Sequence, residues 1–168
     1  MSFEGFDHAI MSPALRRVAL HWNDLRGAGR LPIWSAIRPA TIASQLPLVW
    51  SYSHDRSSDT FRGRLSGDFI DQFFGRNLKG VPMSELYARC DYPRFFERSK
   101  RVVCEPAFYL GEGMVFAHKD RYGQGERIMM PMSSDGETGD GFFAATDYRA
   151  IEGRPDQHRS EVGAWFSL

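Results

Sequence analysis

The chain has almost no cysteine, no excess charge of either sign and no long apolar run. Lysine plus arginine and aspartate plus glutamate both number 21 in 168 residues. That balance supplies no overall field to draw in nucleic acid or an anionic membrane. The local basic stretches RGR (62–64) and RSKR (98–101) read as solvated strand and helix ends. The two cysteines, Cys90 and Cys104, are too few for a disulfide framework and lack the CxxC spacing of zinc or redox sites. A reducing cytoplasm is the expected compartment. The opening MSFEGFDHAIMSP has neither the basic start nor the continuous apolar run of a signal peptide. No apolar stretch has the length that spans a bilayer.

Catalytic groupings are missing as well. Serines and acids occur, but no spacing links a nucleophile to a base or sets two carboxylates on one face. The segments GEG and GQGE lack the strand-to-helix setting of a phosphate loop and read as β-turns. The composition, 42% hydrophobic and 25% charged, is that of an ordinary globular protein with one core.

What is present is a clear alternation of periods. Residues 12–29 carry the strongest helix signal, with Ser12 as N-cap and Pro13 at the first helical position. Leu15, Val18, Ala19, Trp22 and Leu25 form one apolar stripe, and Gly27 and Gly29 end the helix. A proline-punctuated connector (31–47) has a short helical centre near 39–45. Strands are expected at 48–55 and 60–67, the second with Phe61 and Leu65 on one face, joined by the turn 56–59. Helices follow at 68–75, with Asp68 as cap, at 81–89, and at 92–106, where Phe95, Phe96, Val102 and Val103 are the apolar positions.

Three more strands complete the pattern: 107–120, bulged at Gly111–Gly113, then 126–134 and 142–149. In the second, Ile128, Met130 and Met132 alternate with Met129, Pro131 and Ser133. The tail is polar until Trp165 and Phe166. This order predicts an α+β fold: a five-stranded antiparallel sheet with a helical crossover on one face and an N-terminal helix outside the core. One domain is expected over 12–149, between an N-terminal extension (1–11) and a C-terminal tail (150–168). Gly67 is expected to supply a backbone angle closed to other residues where strand turns into covering helix.

The strand pair, the segment RLSGDFIDQFFGRNLKG (64–80), the helical crossover and three further strands resemble a PAS domain. More narrowly, the chain resembles a bacterial PAS-like family of short stand-alone proteins. The motifs are HWNDLRG in the first helix, the LP…P…LP connector, RLSG…G…L.G, and the E…PMS.DG strand and turn. Arg38 stands before Pro39, where that family carries an acidic residue. The resemblance covers about residues 12–149 and implies a sensory or interaction module that binds a small molecule between sheet and crossover, or dimerises.

A haem-binding PAS protein would carry its ligand on the helix 92–106, which contains no histidine; the five histidines are His8, His21, His54, His118 and His158. Cys104 reads as a buried structural thiol, and neither cysteine has the polar helix context of a flavin photosensor. No cofactor and no metal are therefore expected.

Thirteen phenylalanines, six tyrosines, four tryptophans and seven methionines fit either a plain core or a cavity for a flat apolar ligand. For such a ligand the expected contacts are Phe69, Phe73, Tyr109, Met130 and Phe143, with Arg64 as polar anchor. The function expected is a non-catalytic sensory or regulatory module that binds a small apolar or aromatic ligand, a signalling protein, or both. The alternatives are a ligand-free dimerisation scaffold and a small-molecule enzyme. A homodimer is expected on Leu15, Val18, Trp22 and Leu25, with no nucleic-acid or membrane partner.

Overall fold

The structure, a computed structural model, describes residues 2–89, 91–151 and 160–168. In chain order the helices are α1 (Phe3–Ala9), α2 (Pro13–Arg26), α3 (Asp68–Phe74) and α4 (Tyr92–Cys104). The strands are β1 (Val49–Asp55), β2 (Thr60–Ser66), β3 (Ala107–His118), β4 (Arg121–Ser133), β5 (Gly139–Ile151) and β6 (Val162–Ser167). They form one antiparallel sheet in the order β2-β1-β5-β4-β3-β6. Among the described residues the sheet thus has six strands, not the expected five. Strand β6 comes from the tail: Trp165 and Phe166 point to opposite faces, and the backbone pairs with β3 from Ala107↔Ser167 to Glu112↔Val162.

The N-terminal helix is not outside the core. In α2 the Ser12 hydroxyl accepts the Leu15 N–H, Pro13 opens the first turn, and Gly27 ends the helix at φ 55°. Its stripe lies on the sheet face opposite the crossover, and α1 lies beside it. Leu15, Val18 and Trp22 are completely buried there among Phe6, Phe108, Ile128 and Met130. Trp22 Nε1 donates to the Pro131 carbonyl at 2.8 Å, and Phe6 stacks on Phe108 at 4.7 Å. The proposed dimer surface is corrected accordingly. Three of its four residues are enclosed by their own sheet, and Leu25 is half-buried at the helix end. The reason is that a central strand such as β4 is apolar on both faces, so each face needs a cover.

The crossover covers the other face. Helices α3 and α4 and a short 3-10 turn, Met83–Glu85, pack Ile70, Phe73, Phe74, Met83, Phe95 and Val102 against it. The joint between β2 and α3 is tight for a different reason than expected. Gly67 has an ordinary extended backbone (φ −80°), but a Cβ there would strike the carbonyls of Leu46 and Pro47. Gly75, at φ 71°, is the position that needs left-handed backbone. The rest of that segment is locked by Ser66, whose hydroxyl donates to Asp71 and accepts the Leu78 N–H at 3.0 Å. A bulge in β2, where Ser51 pairs Leu65 and Tyr52 pairs Gly63, leaves Arg64 unpaired between them. It breaks the alternation, so Phe61 is buried and Leu65 exposed rather than both sharing a face.

Candidate functional site

The sheet's pairing sets out the crossover face row by row. Trp50 of β1, Ala144 of β5, Met129 of β4, Tyr109 of β3 and Trp165 of β6 lie side by side. The next row is Thr146, Arg127, Gly111 and Gly163. The middle of an apolar surface therefore holds a guanidinium. Arg127 is 0% exposed. Its charge sits over the rings of Phe95, Phe116 and Trp50, at 4.7, 4.9 and 5.6 Å.

Among the described residues the Arg127 guanidinium has one counter-charge and no hydrogen bond. Its Nη1 is 3.5 Å from Glu161 Oε1. None of Nε, Nη1 and Nη2 has a hydrogen-bond partner among the described residues. Burial pulls its pKa down from the usual arginine value, opposed by the Glu161 charge. Glu161 itself is fully engaged elsewhere: Arg98 Nη1 donates to both its oxygens at 3.0 and 2.9 Å, and the Tyr109 hydroxyl donates to Oε1 at 3.2 Å. Burial, and then the nearby Glu161 carboxylate, push the Tyr109 phenol up to about 12. The hydroxyl of Tyr52, on the same face, is buried without a hydrogen-bond partner among the described residues too.

Two glycines open the space. A Cβ at Gly111 would collide with Glu161 Oε1 and the Tyr109 ring, and one at Gly163 would enter that ring. From outside, a cleft of about 590 Å³ between α4 and β6 leads down to Arg98, Tyr109 and Glu161. Arg94, Lys100 and Arg101 line its mouth, with Glu97 and Glu105 among them. Cys104 also lines it and is exposed, which corrects the reading of a buried thiol. Cys90 and His158 lie outside the described residues.

The expected ligand contacts are divided by the sheet. Phe73 and Tyr109 face the crossover side. Met130 and Phe143 are cross-strand partners on the opposite face, under α2, so they are removed from that set. Their neighbours Met129 and Phe142 take the crossover side instead. Phe69 is half exposed on α3, and Arg64 stacks over Trp34 at 4.2 Å, away from the crossover core. Arg38 donates its N–H to the buried His21 Nε2 at 3.4 Å. The residues that mattered most were missed. Arg127 shares parity with Met129 and was recoverable from the strand pattern; Glu161 sits in a polar tail with no local signal.

The sheet, with a helical crossover on one face, encloses these polar groups beneath that crossover. A sequence model of the PAS domain matches residues 10–145, and the chain belongs to the PAS domain family. No curated protein and no solved structure matches it significantly. The matched span stops within β5, so β6 and Glu161 lie beyond it. Among the described residues no helix is long and apolar enough to cross a membrane.

Proposed function

We propose that the protein is a regulatory small-molecule sensor whose ligand, with an aromatic or apolar body, lies beneath the crossover beside Arg127 and signals to a protein partner. One observation carries this reading. A fully buried guanidinium whose three nitrogens have no hydrogen-bond partner among the described residues is costly in a resting core, because each unmatched buried donor costs roughly 1–3 kcal/mol. Such a group is expected where a ligand completes the contacts. The surrounding rings of Trp50, Phe95 and Phe116 suit a flat ligand body. No nucleophile and base are assigned here, and the role inferred is regulatory rather than catalytic.

The ligand-free dimer scaffold is less well supported, since its apolar stripe is covered within one chain. Native mass spectrometry of unheated protein tests the sensor reading. A retained small mass is expected in the wild type and lost in Arg127→Met. No retained mass, together with no thermal shift from a panel of aromatic compounds, would overturn it.

A further inference from the structure

We infer that the ligand is an aromatic carboxylate and that Glu161 is its built-in competitor. On binding, the ligand carboxylate takes the place of Glu161 between Arg98 and Arg127, and β6 is loosened from β3. This rests on the sensor reading above and adds to it the ligand's charge and the element that responds.

The unmatched donors motivate the ligand class. Among the described residues Arg98 and Arg127 share one carboxylate, since Glu161 lies 2.9 Å from one and 3.5 Å from the other. The phenols of Tyr87 and Tyr109, which act electrostatically on Arg127, have pKa values raised by burial. Arg98 is 8% and Arg127 0% exposed, and the Arg127 N–H groups have no acceptor among the described residues. The exchange leaves the net charge unchanged and gains hydrogen bonds, because the planar fork of Arg127 suits a carboxylate that accepts two of its N–H groups. Glu161 hydrogen-bonds one arginine of the pair in this arrangement. Its oxygens accept from Arg98 and Tyr109 and meet no hydrogen-bond geometry with Arg127.

Position supplies the competition. Glu161 lines the floor of the α4–β6 cleft, while Arg127 does not line it at all. An anion entering past Arg94, Lys100 and Arg101 therefore meets Glu161 before it reaches the free guanidinium. Glu161 immediately precedes β6; its neighbour Val162 pairs with Glu112, and Ser160 on its other side makes one isolated bridge to Met114 of β3. Displacing the carboxylate pulls on the start of an edge strand that pairs on one side only. The far end stays held, because Phe166 is buried under α1 and Trp165 packs on Tyr109 at 5.0 Å. The expected motion is a peeling of 162–164.

The test uses benzoate, with neutral benzamide as control, on the full chain and on Glu161→Gln. Titration calorimetry is expected to show benzoate binding about tenfold or more tightly to Glu161→Gln, with benzamide unchanged. In the wild type, saturating benzoate is expected to speed amide hydrogen exchange at 162–164 while β4 stays protected. The wild-type exchange result decides the matter even if the variant fails to fold. Equal benzoate affinity in both proteins, or increased protection of 162–164, overturns the competitor role. No benzoate binding to either protein overturns the carboxylate class. A small neutral mass still retained in native spectra would then leave the sensor reading standing on its own.

Discussion

Replacing Arg127 with methionine should stabilise the ligand-free protein. The substitution removes the guanidinium and its five N–H donors from a site where none of its nitrogens has a hydrogen bond among the described residues. What is lost is the attraction to Glu161 at 3.5 Å, about 5 kcal/mol at an effective dielectric near 20. About 1 kcal/mol is also lost at each of the three rings, part of which methionine restores through its sulfur. What is relieved is larger. The desolvation penalty of a buried ion is several kcal/mol, the unmatched donors add roughly 1–3 kcal/mol each, and repulsion from Arg98 disappears. Glu161 keeps Arg98 and Tyr109, so no new orphan is created. The net expectation is a gain of about 1–3 kcal/mol, or roughly 3–8 °C in Tm for a chain of this size. Urea denaturation and calorimetry on unliganded protein measure it. A loss of more than about 1 kcal/mol would refute the reasoning, because Arg127 would then be a satisfied structural group.

Trp22→Ala should cost about 3–5 kcal/mol, since it empties a fully buried site and removes the indole hydrogen bond to the Pro131 carbonyl. Charged residues at Val18 and Trp22 should give unfolded or aggregated protein; a folded monomer by light scattering and circular dichroism would contradict the placement of α2. Gly67→Ala should cost more than about 2 kcal/mol, because the new Cβ meets two backbone carbonyls that cannot swing aside; a loss under about 1 kcal/mol in urea melts would show that the joint gives. Asp135 accepts from the Ser133 hydroxyl and the Glu137 and Thr138 N–H groups at 2.6, 2.8 and 2.7 Å, which hold its carboxyl well below the usual range. Its folded state favours the charged form, so its stabilisation is present above the ordinary value of 3.8 and lost as pH falls through the lower folded value. Asp135→Ala should therefore be less stable at pH 7, with the gap closing only in strong acid; a gap independent of pH would count against it.

The sequence by itself determined which residues share a face within an element. The α2 stripe, its Ser12 cap and the alternation of Ile128, Met130 and Met132 were all readable, because helix and strand periods are local properties of the backbone. Membership of a family followed from motifs in order along the chain. Period does not say what lies over a face. Met130 and Phe143 were both assigned to the crossover side, and the structure places them under α2, since alternation leaves its sign open. The bulge at Arg64 shifted β2 in a way that no residue preference announced. Only the tertiary structure decided that α2 closes its own sheet, that the tail returns as β6, and that Glu161 meets Arg127 from 34 positions away. Contacts of that kind depend on chain closure across the sheet, and the Arg98–Glu161–Arg127 cluster beneath the crossover exists only once three distant side chains share one dry space.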